Sequence, residues 1–427
     1  MLITMKYGKQ GLDVEVPDSN LAGILRIKES RRIETPPESI RKALNSPLAS
    51  KPLRELAKGK DTACIVISDI TRPVPNKIIL PPMLEILEDA GIKQENIVIL
   101  VATGIHRPNE GEELEELIGW EIANNYRVVN HIARDLETHK HLGNIFDNIP
   151  VYVDKTYLQS DLKILTGLIE PHLMAGYSGG RKAICPGICS VETMRYMHGP
   201  HILEDERATT GVIEGNPFHE GASKVARMAG VDFILNVALN EEREITGVFA
   251  GDLEKAHLQG IKHVEQIVKV EVDEPADIVL VSNAGYPLDT NFYQAIKGMI
   301  AALGVIKEGG IIILVAECCD GLGGKEFTQL VLETTDVRAF VKKLYEPDFF
   351  VVDQWMLEEL IKVIDKAQVY CYCEGVEDHI LEQLSLKSIP SPELGLRAAL
   401  KEKGENAKIL VIPEGPYVLA VSRKKSV

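Results

Sequence analysis

Residues 63–76 read ACIVISDITRPVPN. The first six form an apolar, β-branched run with no polar face to offer water, so they are read as a strand covered on both sides. The run breaks off into Asp69, Arg72 and two prolines, residue types that end a strand. The same pattern recurs along the chain. NIVILVA (96–102) runs into TGIHRP, LKILTGLI (162–169) into EPHLMAGYSGGRK, and DIVLVSNA (277–284) into GYPLDTNFYQAIKG. Further candidate strands are DFILNVAL (232–239), GIIILVAE (310–317), FFVVDQ (349–354), AQVYCYC (367–373) and KILVIPE (408–414). Between them lie helical patterns such as KIILPPMLEILEDAG (77–91), with apolar positions three and four apart and Gly91 placed as a C-cap.

Buried strands alternating with amphipathic helices predict an α/β fold of two doubly wound-like domains with parallel-rich sheets. The charged stretch VKVEVDEPA (268–276) marks the division. Residues 1–270 are assigned to an N-terminal cofactor-binding and catalytic domain and 271–407 to a C-terminal α/β domain. The tail 408–427 is a candidate to return to the first domain. The active site is expected in the interdomain cleft.

The chain has 427 residues, 45% hydrophobic and 26% charged, with a net charge of −16. That acidity speaks against a duplex nucleic-acid binder, which needs a basic face. No apolar run is long enough to cross a bilayer, and the N-terminus lacks the basic-then-apolar pattern of a secretory signal, so the expected location is cytoplasmic, with no membrane partner. Seven cysteines without CxxC spacing suit reduced, buried thiols.

In open parallel sheets, ligands bind beyond the carboxyl ends of strands. The four polar stretches after the strands hold Asp69 and Arg72, then His106 and Arg107, then His172, Arg181 and Lys182, then Asp289, Tyr293, Gln294 and Lys297. His106 and His172 both sit just past strands, where a neutral imidazole suits general acid–base chemistry. His198, with His201 three residues on, invites a metal reading. Taken singly, each of these has the plainer reading of a structural, hydrogen-bonded imidazole. HIARDLETHKHLG (131–143) looks like a metal cluster but reads as an exposed loop. Arg72 and Lys297 supply the cations that a carboxylate needs in an acidic protein. SGGRKAICPG (178–187) suits a close backbone approach to an anion, yet its spacing is not that of a P-loop.

Together DITRP, TGIHRP, EPHLMAGYSGGRKAICPG, MHGPHI and NFYQAIKG closely resemble the nickel-pincer lactate racemase family, which racemises or epimerises 2-hydroxy acids. The resemblance implies a lactate-like 2-hydroxy-acid substrate and reversible hydride transfer. It implies a nickel-pincer nucleotide, pyridinium-3-thioamide-5-thiocarboxylic acid mononucleotide carrying Ni, which is made by separate biosynthesis proteins and is absent without them. Lys182 then matches the covalent tether, His198 the nickel ligand, and His106 and His172 the alternating acid and base. Arg72, Gln294 and Lys297 match substrate-binding positions. Asp69 and Tyr293 match positions near cofactor or substrate. Ser178, Gly179 and Gly180 are assigned to the cofactor, the glycines giving its phosphate a close backbone. Met174, Tyr177, Tyr286, Tyr293 and Trp355 are candidates to shape the pocket. Two other readings stand beside this one: a NAD-dependent 2-hydroxy-acid oxidoreductase, although no Gly-x-Gly-x-x-Gly follows the early strands, and a protein that binds the cofactor or a hydroxy acid without turnover.

Overall fold

A computed structural model of the chain describes residues 1–146, 148–346 and 349–424. The chain divides into two compact units, Glu29–Ile267 and a second made of Met1–Lys28 with Val268–Val427.

The Glu29–Ile267 unit is built on six strands: β1 (Ala63–Ser68), β2 (Ile97–Ala102), β3 (Arg127–Asn130), β4 (Leu162–Leu168), β5 (Phe233–Leu239) and β6 (Ile245–Gly251). Their order is β6-β5-β4-β1-β2-β3, and only the β5–β6 pair is antiparallel. The apolar strands are buried because helices cover the sheet: Ile65, Ile67, Ile99 and Val101 share a core with Ile79, Leu80 and Met83 of α1 (Asn76–Asp89). Gly91, at φ +104°, ends α1, with Gly91 N donating to Glu88 O and Ile92 N to Leu87 O. That pair of bonds is a Schellman cap, which needs the left-handed conformation glycine adopts without strain. The remaining helices used below are α2 (Val191–Met197), α3 (Pro217–Ala229) and α4 (Leu253–Val268).

Chain direction across this sheet reverses between β1 and β4. A reversal leaves a crevice beyond the carboxyl ends of the two strands. The segments that leave those ends are 69–75 and 169–182, two of the four chemistry-bearing stretches.

The second unit has strands β7 (Ala276–Ser282), β8 (Ile306–Val315), β9 (Ala367–Tyr372), β10 (Lys387–Ser388) and β11 (Ile409–Ile412). They run in the order β10-β9-β8-β7-β11, with the strand Leu21–Ile24 added beside β11, all parallel. Its helices include α5 (Phe292–Ala301) and α6 (Gln354–Lys366).

Three expectations need correction here. Residues 1–28 belong to the second unit, not the first. The tail strand does not return to the first domain either: all four residues of β11 are buried, and Ile409 and Val411 pack with Ile278, Leu280, Ile3 and Val14. The physical reason is that β11 pairs with the open side of β7, and the Leu21–Ile24 strand pairs with the far edge of β11. Finally, 349–354 is not a strand. It turns into α6, with Val351 N donating to Gln354 Oε1 at 2.7 Å.

Candidate active site

Asp69 follows β1 directly and is buried, while His106 follows β2 and is half exposed. His106 Nδ1 lies 2.6 Å from Asp69 Oδ2, and Thr71 Oγ1 donates to Asp69 Oδ1 at 2.6 Å. Burial alone would raise the Asp69 pKa. The His106 hydrogen bond and charge, then Thr71 and Arg72, outweigh it and hold the carboxyl below its ordinary range. Asp69 is therefore an anion that can only accept. It makes Nδ1 of His106 the donor and leaves the lone pair of a neutral ring on Nε2.

His172 is committed the opposite way. It closes the short antiparallel pair Pro171–His172 and Gly176–Tyr177, and its Nδ1 accepts from Met174 N and Ala175 N, each at 3.2 Å. A nitrogen that accepts two N–H groups carries no proton, so the neutral ring holds its proton on Nε2.

Lys182 and His198 meet His172 around one side chain, the fully buried Phe218 of α3. Lys182 Nζ is 5.9 Å from the ring centroid, the His198 ring packs edge-on at 5.0 Å, and the His172 ring lies tilted at 6.5 Å. His198 caps α2, and its Nδ1 donates to Met194 O at 3.1 Å. Burial first, and then the Lys182 charge, push its pKa down to about 4. It is thus a neutral imidazole with the lone pair on Nε2, the form that binds metals. A lysine amine beside such a ring fits a group tethered to Lys182 and ligated by His198. The His106 loop is tied to the lysine segment: Gly104 N donates to Gly187 O, and Gly187 N donates to Lys182 O. His201 lies on the exposed face of the next turn.

The structure gives Ser178, Gly179 and Gly180 a different reason for being what they are. Gly180 N donates to Asn236 Oδ1 at 2.8 Å, and Ser178 O accepts from the buried His257 Nε2 at 2.8 Å. A Cβ on Gly179, at φ +79°, would sit 3.1 Å from Leu168 O, and one on Gly180, at φ +53°, would sit 2.9 Å from the His257 ring. The glycines admit the protein's own β4 end and α4, so the expected open backbone cradle for a phosphate is corrected at Gly180. Asn236 and His257 were invisible in the sequence because their contacts here span 56 and 79 residues.

Arg72 folds its guanidinium back on Thr71, with Nη1 3.3 Å from the carbonyl and 3.2 Å from Oγ1. Arg107, by contrast, is held bidentate by Glu113 at 2.6 Å. Of the pocket-shaping candidates, Met174 and Tyr177 are buried and Tyr286 is exposed. His139 is not in an exposed loop: it is buried on the strand His139–Ile145, its Nε2 2.9 Å from that of buried His131.

In the second unit, Asn291 caps α5 by accepting from Gln294 N at 3.1 Å. Lys297 Nζ donates to Gln294 Oε1 at 2.6 Å, one helical turn apart, and Trp355 Nε1 of α6 donates to Tyr293 Oη at 3.2 Å. Asp289 is fully buried and structural, its Oδ2 accepting from Gly8 N and Glu317 N.

The structure is thus an α/β chain of two units, in which two histidines have opposite Nδ1 commitments and a lysine lies beside a buried, neutral imidazole. Residues 7–211 match the family model for the lactate racemase N-terminal domain, and 271–420 that for the lactate racemase C-terminal domain. The chain belongs to the lactate racemase family and is an isomerase. It is 37% identical over 423 residues to a lactate racemase of Thermoanaerobacterium thermosaccharolyticum, covering 98% of each chain. It is 35% identical over 421 residues to one from Lactiplantibacillus plantarum, covering 98% of this chain and 99% of that one. The structure of the T. thermosaccharolyticum apoprotein matches with a TM-score of 0.93 at 36% identity, over 99% of this chain and 100% of that one. A Thermotoga maritima protein at 20% identity, with a TM-score of 0.69 over 92% of this chain and 100% of that one, shares the fold. Among the described residues, no helix is long and apolar enough to cross a membrane.

Proposed function

We propose that the chain interconverts the enantiomers of lactate, and that it does so with a nickel-pincer nucleotide held on Lys182 and ligated by His198. When bound, that group supplies the acceptor and donor of the C2 hydrogen as hydride. The C2–H bond is too weakly acidic for an imidazole to ionise. A histidine needs only to remove the hydroxyl proton while the C2 hydrogen leaves with its electron pair, and the planar 2-keto acid then regains hydride on its other face.

The observation that carries this reading is the opposite commitment of His106 and His172. Asp69 keeps His106 ready to take the hydroxyl proton at Nε2 and stabilises the imidazolium that results. His172, with its proton on Nε2, is the hydrogen-bond donor of the pair. The second enantiomer requires the two to exchange roles. His172 does so by giving up two 3.2 Å backbone contacts, while a protonated His106 returns its proton from Nε2 and keeps its 2.6 Å bond to Asp69. Arg72, Gln294 and Lys297 are assigned to the substrate, Asp69 and Tyr293 to the surroundings of the cofactor or substrate. The nucleotide comes from separate biosynthesis proteins. A cytoplasmic location suits the seven free thiols, six of them buried.

The test is chiral analysis of D- and L-lactate after incubation with protein produced alongside the biosynthesis proteins. Inversion in both directions is expected, and its loss in both directions is expected in His106→Ala and His172→Ala. Mass analysis of the digest should show the Lys182 peptide carrying the added nucleotide. Inversion that survives either substitution, or active protein with an unmodified Lys182, overturns the assignment. Parent protein that retains the nucleotide without inverting lactate would instead mark a binding protein.

A further inference from the structure

Arg181 sits next to the tether lysine, is 2% exposed, and is among the largest fully buried side chains in the chain. Its Nη groups hold the backbone, Nη2 donating to Ala175 O at 2.7 Å and Nη1 to Gly179 O at 3.1 Å. Nη1 also lies 3.2 Å from His257 Nε2, which itself donates to Ser178 O. The carbonyl partners satisfy hydrogen bonds but bring no negative charge, and a His257 Nε2 that donates to Ser178 O has no lone pair to offer Nη1. Arg181 Nε has no partner at all, and neither does His219 Nδ1. Both residues line one cavity of about 70 Å³ together with Ser223, Arg227, Glu254 and His257. Glu254, the only acid there, is engaged by Arg227 Nε at 2.8 Å. The lining therefore holds two guanidinium groups against one carboxylate, an excess of one positive charge beside two neutral imidazoles.

A buried charge without a counter-ion is costly, and the shifts of its neighbours reflect that. Burial pulls Arg181 down to about 9. Burial, and then the charges of Arg181 and Arg227, push His219 down to about 3. The ring is kept neutral first by burial and then by two neighbouring cations, whose positive potential an anion would relieve. The room is right as well: one water takes about 30 Å³ of liquid volume, so the cavity accepts one small oxyanion or a few waters.

We infer that this cavity, walled by α3, α4 and Arg181, is a binding site for a small tetrahedral oxyanion of the phosphate or sulfate class, separate from the tether and metal-ligand side chains. Arg181 Nε and His219 Nδ1 are the inner donors, Ser223 lines the wall, and Arg227 stands at the half-exposed rim. An anion there would lock the segment Ala175–Lys182 through Arg181, which grips that segment's own carbonyls.

The test titrates the full chain with inorganic phosphate, and separately with sulfate, following the thermal midpoint against sodium chloride at equal ionic strength. Binding to the native state alone raises the midpoint in a saturable way. A saturable rise beyond the chloride control is expected, and it should shrink at least several-fold in Arg227→Gln and in Ser223→Met, which fills the cavity. Arg181→Met removes two backbone tethers and can fail to fold, so the rim and wall variants carry the test. Lys182→Ala should keep the response. A midpoint that merely tracks ionic strength, a response unchanged in both Arg227→Gln and Ser223→Met, or a response lost in Lys182→Ala overturns the inference. A response to sulfate as strong as that to phosphate identifies a general oxyanion site, and a response to phosphate alone a phosphate site; both support it.

Discussion

His106 Nδ1 and Asp69 Oδ2 are 2.6 Å apart, joining the ends of two adjacent parallel strands through a buried anion. Asp69→Asn keeps the shape but removes the obligate acceptor, so His106 no longer has one enforced tautomer. Turnover in both directions should fall about 10²–10⁴-fold, the usual worth of a general base or of its orienting carboxylate. The KM for lactate should change little, because Asp69 reaches the substrate only through His106. Steady-state kinetics of the loaded variant check this, and a large KM change with intact kcat would contradict the assignment.

Phe218 supports three of the proposed catalytic side chains at once. Phe218→Leu should cost about 1–1.5 kcal/mol of stability as a moderate loss of core volume. Its effect on kcat should be larger than that cost suggests, at least tenfold, because His172, Lys182 and His198 share the ring as a wall. Urea melts of the purified chain give the first quantity and turnover of the loaded enzyme the second.

Gly180→Ala places a Cβ against the His257 ring at a left-handed backbone position. It should destabilise by about 1–3 kcal/mol. In a double-mutant cycle with His257→Ala the costs should not add, since removing the ring removes the clash but not the backbone strain. Additive costs would mean that the ring is not what the glycine avoids.

Several histidines whose pKa is lowered in the fold make the stability fall with acid, His131 and His219 among them. His131, buried and next to His139, and the half-buried His219, partly desolvated and near Arg181 and Arg227, are each pushed down to about 3. Their folded pKa lies below the unfolded value of about 6.5, so the unfolded chain binds more protons between those values. Stability therefore rises with pH there and is lost as pH drops from 6.5 toward 3, by up to about 1.4 kcal/mol per pH unit for each group. Urea midpoints at pH 7, 6 and 5 should fall in that order, and His131→Gln should flatten the trend.

Lys297 Nζ is held by Gln294 at 2.6 Å within α5. Lys297→Met should raise the KM for lactate by about 10–100-fold, the loss of one charge-assisted contact to a carboxylate. A smaller neutral hydroxy compound, offered as a competitive inhibitor, should show no such loss. That comparison separates a lost carboxylate contact from a distorted helix.

The strands were legible because burial on both faces leaves an unbroken apolar run, as in ACIVIS and NIVILVA, and the polar residues beyond them followed from where parallel strands end. What the sequence withheld depends on distant partners. FFVVDQ is as apolar as a strand, but the turn at Asp353 and the start of α6 give it no ladder. His139 looked solvated among charged neighbours, yet strand alternation turns it inward onto His131. Gly180 looked like an opening for a ligand, and only the fold reveals that Asn236 and His257 come up against it. Phe218 carries no motif, since one phenylalanine in a helix is indistinguishable from any other core residue.

The partnership of Leu21–Ile24 with Ile409–Ile412 sets an order of events during synthesis. The first of these strands emerges before any of the Glu29–Ile267 sheet exists, and the residues it pairs with are made 387 or 388 residues later. At about 5–20 residues per second that is a wait of roughly 20–80 s, during which the enclosed unit has every strand of its own sheet and can close first. The earliest segment of the chain is thus among the last to find its place.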